Sequence, residues 1–174
     1  MRVVEKEDLD FFVKSHSDVN FYGEHGPVMT QMSKAEAEKR FENPSPLVTV
    51  CERARFVIMK KEGAKIGSIA HYFVQPTRLM EIGYDVIPSE RGKGYGTEAV
   101  QIIVDYLFLS KDIVRIQAVT NAGNKASQRV LEKAGFKMEG ILRKVGQVKG
   151  EWVDAYIYSI LREEWKKPKI LAKR

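Results

Sequence analysis

Residues 88–99 read Pro-Ser-Glu-Arg-Gly-Lys-Gly-Tyr-Gly-Thr-Glu-Ala, between a strand-like run at 81–86 and a strongly helical run at 98–109. This junction constrains the chain more than any other stretch. A glycine-rich turn between a strand and a helix N-terminus is a place to hold an anionic ligand. Glycine lets the backbone approach closely, and the first helical turn offers unpaired N–H groups and the positive end of the dipole. The guest that fits is a pyrophosphate.

Two familiar phosphate loops do not match. Lys93 lies between glycines and is followed by Gly94, so the spacing of nucleotide-hydrolysing loops is absent. Gly92, Gly94 and Gly96 are followed by Thr97, which breaks the dinucleotide fingerprint G-x-G-x-x-G. The run Arg91-Gly92-Lys93-Gly94-Tyr95-Gly96 does satisfy R-x-x-G-x-G.

With 174 residues, the chain suits one domain with a real core, expected over 1–165 with a basic tail at 166–174. Hydrophobic residues at 44% and charged residues at 30% are an ordinary globular balance. No apolar run is long enough to span a bilayer, and the first six residues carry no apolar signal. The expectation is a cytoplasmic protein without membrane contact. Cys51 is the only cysteine, so no internal disulfide forms and a thiolate-rich metal site is excluded. His16, His25 and His71 lack metal-ligand spacing, and no metal is expected. The net charge of +6 suits an anionic cofactor. Without a readout motif it does not argue for nucleic acid.

The elements alternate. A short strand at 1–4 precedes a helix at 6–15 with Leu9, Phe12 and Val13 on one face. Residues 16–32 have no clean period. Ser33-Lys34-Ala35-Glu36 fits a capping box opening a helix to about Phe41, and Asn43-Pro44-Ser45-Pro46 ends it. Strands are expected at 47–51 and 55–60. A turn at 61–63 leads to a strand at 65–74, and a loop at 75–79 to the strand at 81–86. The helix after the glycine turn carries Val100, Ile103, Val104, Leu107 and Phe108 on one face. A β-branched strand at 113–119, a helix at 125–134 stopped by Gly135, and strands at 136–142 and 153–161 around a turn at 146–150 complete the chain. This order argues for an α/β fold with a mixed sheet.

A second motif, Asn124-Lys-Ala-Ser127-Gln-Arg-Val130-Leu-Glu132-Lys133-Ala-Gly135-Phe136, opens and closes the second of these helices. Asn124 caps it. Ser127 is less well explained by helix formation alone. With both motifs on the page, the chain resembles the GNAT acetyltransferase superfamily. More narrowly it is similar to the Rim-type branch, which acetylates ribosomal-protein N-termini and includes polyamine and antibiotic acetylators. Gly83, Tyr84, Trp152, Asp154, Tyr158, Glu164 and Trp165 also match that branch. The resemblance implies a mostly antiparallel central sheet flanked by helices, and acetyl-coenzyme A as co-substrate. It implies transfer to a primary amine, either a protein N-terminus or a small amine. Homodimers are frequent in the branch.

The resemblance also assigns roles. The 81–86 strand splays from the 113–119 strand, and the pantetheine arm bonds to backbone near Asp85 and Val86. Amides of Arg91, Gly92, Lys93, Gly94, Tyr95, Gly96 and Thr97 hold the pyrophosphate, with charge added by Arg91 and Lys93. Asn124 and Ser127 complete the cofactor site. Many relatives place a tyrosine acid just before Glu-Lys. Here Leu131 occupies that position, and Ser127 becomes the expected partner of the leaving thiolate. The Val86 N–H is the expected oxyanion donor. Glu81 is the first candidate base and His71 the second. Asp154 has two readings, binding the substrate amine or supporting the last strands. The acceptor groove falls to 6–42 and 143–153, with Phe21, Tyr22, Glu24 and Trp152 as candidates. A non-catalytic acyl-coenzyme A module that regulates a partner is the alternative reading.

Overall fold

The computed structural model describes residues 1–18, 21, 33, 35, 38–39, 54–74 and 79–168. Ala35, Glu38 and Lys39 are helical, as expected of the helix from Ser33; the rest of that helix, the strand at 47–51, the loop at 75–78, Cys51, His25, Tyr22, Glu24 and most of the basic tail lie outside the described residues.

Seven strands form one sheet among the described residues: β1 (Arg2–Val3), β2 (Ala54–Met59), β3 (Lys65–Val74), β4 (Leu79–Val86), β5 (Arg115–Asn121), β6 (Lys137–Val148) and β7 (Glu151–Leu161). Their spatial order is β1-β2-β3-β4-β5-β7-β6. All neighbours are antiparallel except β4 and β5. Three α-helices have described bounds: α1 (Leu9–Ser17), α2 (Tyr95–Ser110) and α3 (Lys125–Ala134). The sheet is mixed and mostly antiparallel, as the sequence order and the resemblance led one to expect.

Strand alternation divides the sheet into two faces. Met80, Ile82, Ile69 and Ile116 point to one face and form the core with Val100, Ile103, Leu107 and Leu131 of α2 and α3. Glu81, Gly83, Asp85 and Gln117 alternate with them and point to the other. The apolar stripe read along 98–109 is therefore the core face of α2.

Several boundaries move, three of them near the features that matter below. Helix α2 starts at Tyr95 rather than Glu98, because Gly94 takes a left-handed conformation (φ +89°) and serves as its N-cap. Strand β5 runs two residues later than expected, to Asn121. The last hairpin turns at Lys149 and Gly150, both with positive φ, and not from Gly146. Gly146 stays in β6 opposite Val153, past an irregularity between Leu142 and Gly146.

The end of α2 is fixed by Arg162. Its guanidinium donates to the carbonyl of Phe108 (2.9 Å) in the final turn, and to that of Ile113 (2.7 Å) in the segment that follows it. At the other end of the chain, buried Asp8 accepts from Arg2 (2.8 Å) and the Glu5 N–H (2.8 Å), and pairs with Lys65 (2.6 Å). This clasp ties the start of α1 to β3.

Candidate active site

Strand β4 has two unlike edges. Against β3 it is paired along its whole length, from Val74–Leu79 to Gly67–Val86. Against β5 it makes only two pairs, Met80–Ile116 and Glu81–Gln117. Beyond them the parallel strands diverge as the resemblance implies, and a wedge opens in the sheet. A cavity of about 420 Å³ occupies it, walled by Tyr84 of β4, Thr120 of β5, Ser127 of α3, and Val145 and Val153 of the last hairpin. It reaches from the helix side of the sheet toward the opposite face.

Glu81 sits at the apex of the wedge. One carboxylate oxygen accepts from the Tyr72 hydroxyl. The other accepts from Gln117 Nε2 at 2.7 Å. Both partners were missed in the sequence, because nothing local links them to Glu81; only the register of β3, β4 and β5 aligns all three. His71, the second candidate, faces the other way. It is 1% exposed, with its ring centroid 6.1 Å from that of Phe56 and 6.3 Å from that of Tyr106. Its position is that of a core residue beneath α2.

Val86 and Asp85 part company. The Ile87 N–H donates to the Ile66 carbonyl at 2.9 Å. Antiparallel alternation then turns the Val86 N–H and carbonyl away from β3, toward the wedge edge. The Val86 carbonyl accepts from Arg91 Nε at 2.9 Å on that side. Asp85 is turned inward. Its carboxylate accepts from the Ser68 hydroxyl (2.6 Å) and N–H (3.1 Å), and a Cβ on Gly67 would run into its carbonyl. Of this pair, Val86 alone presents its backbone to the wedge.

The glycine turn leaves the first turn of α2 bare. Gly92 (φ +75°) and Gly94 (φ +89°) are left-handed, and no side chain caps the helix. The N–H groups of Tyr95, Gly96 and Thr97 therefore have no acceptor within the helix. Such an end fits a pyrophosphate. The charges expected beside it are largely committed. Arg91 donates to Val86 and to the carbonyl of Phe21. Lys93 is exposed and lies 3.1 Å from Glu90, which also binds Lys60 at 2.9 Å. The two lysines hold the Glu90 carboxyl below its ordinary value. Tyr95 is half-buried against the core, its ring 5.9 Å from the Lys60 ammonium.

Across the wedge, Asn124 Oδ1 accepts from the Ser127 N–H at 3.0 Å and closes the start of α3. Ser127 Oγ lies 2.9 Å from the Tyr84 hydroxyl. Burial pushes the Tyr84 phenol up to about 12, against a smaller opposite effect of the Ser127 hydrogen bond. Leu131, one turn on, is fully buried. Asp154 lines the cavity, and its Oδ1 accepts from the Lys144 N–H at 2.8 Å. That bond braces the β6 irregularity, so the structure favours the supporting reading of Asp154. Trp152 is 59% exposed on the hairpin beside it, whereas Phe21 is buried.

Comparison with known proteins gives these features a context. A family model described as an acetyltransferase (GNAT) domain matches residues 1–137. Over 168 residues the chain is 33% identical to the uncharacterized N-acetyltransferase p20 of Bacillus licheniformis, covering 95% of this chain and 93% of that protein. Three Bacillus subtilis relatives that are 38–45% identical are matched over only 46–64% of their own length. Spermidine N-acetyltransferase from Vibrio cholerae, in complex with CoA and spermine, superposes with a TM-score of 0.81 at 22% identity, over 95% of this chain and 96% of that one. RimJ of Mycobacterium smegmatis, in complex with CoA-disulfide, gives 0.76 at 25% identity, over 96% and 83%.

Proposed function

The chain belongs to the GNAT acetyltransferase family, and on that premise we propose that it is an N-acetyltransferase, moving an acetyl group from acetyl-coenzyme A to a primary amine. One observation carries the reading. A parallel strand pair parts after two residue pairs, beside a helix N-terminus that the chain itself leaves uncapped. The bare turn of α2 fits the pyrophosphate, and the wedge fits the narrow arm leading to the thioester. The structure neighbours named above were solved with CoA or its disulfide, which agrees with that assignment.

In this reading a neutral amine attacks the acetyl carbon from the face that carries Glu81. An amine is mostly protonated at neutral pH, so a base must first take a proton, directly or through water. Glu81 is the candidate, because Tyr72 and Gln117 fix its carboxylate at the apex while each oxygen retains a lone pair. The Val86 N–H is aimed from the wedge edge at the oxyanion that attack creates. Ser127 stands across the cavity as the contact for departing sulfur. The acceptor is a primary amine, either a polyamine-like small molecule, as the spermidine N-acetyltransferase neighbour suggests, or a protein N-terminus.

The test is acetyl transfer with release of free thiol, run against N-terminal peptides, polyamines and aminoglycosides. Thermal unfolding with and without coenzyme A runs beside it. Transfer to any of these establishes the activity and its acceptor class. Stabilisation without transfer to any amine favours the non-catalytic module, and neither effect overturns the site. For the base, Glu81→Gln removes the acidic limb of the pH–rate profile; an unchanged profile assigns the proton elsewhere.

A further inference from the structure

We propose that Tyr84 is a positioning residue that sets the Ser127 hydroxyl for contact with the departing thiolate. The inference rests on reading the wedge as an acyl-transfer site. Tyr84 springs from β4 and Ser127 from the first turn of α3, so the contact bridges the two sides of the opening. The phenol oxygen lies 2.9 Å from Ser127 Oγ and 3.1 Å from the Ser127 carbonyl. Both residues line the cavity.

The hydrogen count at this contact allows two arrangements. The phenol has one proton and two acceptors in reach, and a carbonyl can only accept. In the first arrangement Tyr84 donates to the carbonyl and Ser127 Oγ donates back to the phenol. The serine proton is then held against Tyr84. In the second, Tyr84 donates to Ser127 Oγ and the serine proton turns into the cavity. Two hydroxyl rotations interconvert them with no heavy-atom movement. The Ser127 carbonyl keeps its helical bond to the Leu131 N–H in both, so the swap orphans no buried group.

Magnitude decides which role Tyr84 takes. Its phenol stands at about 12, whereas a free thiol titrates at about 8.5. Giving its proton to a thiolate runs uphill, and a serine alkoxide would be worse, so the geometry assigns both residues to hydrogen bonding rather than to net proton supply. Glu81 passes the first proton of the ammonium to solvent before attack, and as the N–C bond forms and the C–S bond breaks it takes the second from the acceptor nitrogen. Sulfur leaves with the bonding electron pair and receives one hydrogen bond from Ser127, and water supplies its proton on departure.

The experiment is a double-mutant cycle read by steady-state kinetics and melting temperature. Y84F keeps the ring and deletes the hydroxyl. We expect kcat to fall about tenfold, the scale of one hydrogen bond to a charged group, with KM for acetyl-coenzyme A within about twofold. S127A falls at least as far, and Y84F/S127A falls no further than S127A. Wild-type kcat in Y84F, losses that multiply in the double variant, or a loss carried by KM alone would each overturn the proposal. A second measurement does not depend on Y84F folding. Placing 3-fluorotyrosine at position 84 keeps the hydrogen bonds and lowers the phenol pKa. A positioning role leaves the alkaline limb of the kcat profile unmoved, and a shift in that limb makes Tyr84 the acid and ends the proposal. If the wild-type protein binds coenzyme A and transfers nothing, the functional reading falls and takes this inference with it. If it turns over, only the inference is at stake.

Discussion

Helices α2 and α3 both begin after the carboxyl end of a parallel strand, on the same side of the sheet, yet they begin in opposite ways. Helix α3 is closed by its own chain: Asn124 accepts the Ser127 N–H at 3.0 Å. Helix α2 starts from Gly94, left-handed and without a side chain to offer. One helix end is finished and the other needs a guest. Hydrogen-bond satisfaction, rather than glycine content, marks the binding end. Helix α1 extends the series, since the Asp8 carboxylate closes the turn before it by accepting the Glu5 N–H at 2.8 Å.

Filling the bare end should do the most damage. Gly94→Val forces a β-branched residue to a positive φ and displaces the loop. Coenzyme A affinity should fall about a hundredfold by calorimetry, with a ligand-free stability loss of about 1–2 kcal/mol. Retained affinity in a folded Gly94→Val protein would erase the distinction between the two ends.

The next effect belongs to α1. Burial pushes the Asp8 carboxyl up, but Arg2, the Glu5 N–H and Lys65 outweigh it and bring it to about 2 from 3.8. Its stabilising contribution is therefore present above pH 3.8 and disappears as pH falls toward 2. Unfolding followed across that window should show the loss in the wild type, and Asp8→Asn should flatten it. An equally steep loss in Asp8→Asn would place the acid sensitivity elsewhere.

Removing the side-chain cap of α3 with Asn124→Ala should cost about 1 kcal/mol, or roughly 3 °C in melting temperature. Coenzyme A affinity should fall less than tenfold. A collapse in affinity larger than that of Gly94→Val would reverse the ranking of the two ends. The smallest change is expected from Lys93→Ala. Lys93 is exposed and already paired with Glu90, so affinity should drop by less than about threefold, and less still at high salt.

Local chemistry explains which of these features could be read in advance. The glycine turn and the Asn124–Gly135 bounds of α3 depend on residues a few positions apart, and both were legible. The start of α2 was placed late because three glycines look like loop, whereas Gly94 is the cap and Gly96 already belongs to the helix. Gly146 suggested a turn, but the last two-residue turn has Lys149 at positive φ beside Gly150, a placement that composition does not announce. The Tyr84–Ser127 contact joins residues 43 apart, and the Tyr72–Glu81–Gln117 cluster depends on three-strand register. Arg91 turns toward Val86 and Phe21 for the same kind of reason: only the folded chain shows which carbonyls are near.

The two-pair joint between β4 and β5 has a mechanical consequence. It leaves the sheet in two halves, β1–β4 carrying α2 and β5–β7 carrying α3, that meet along one short seam, where the helices touch, at the Tyr84–Ser127 contact, and where Arg162 and Trp165 hold the far part of α2. Gly96 sits where the two helices meet, and a Cβ there would lie 3.5 Å from Val130 of α3 and 3.9 Å from Val86 of β4. Its missing side chain acts as a spacer of least thickness. A methyl fits there at ordinary contact distance, so only a side chain longer than alanine's would press α2 and α3 apart, at a position that need not touch the acyl group.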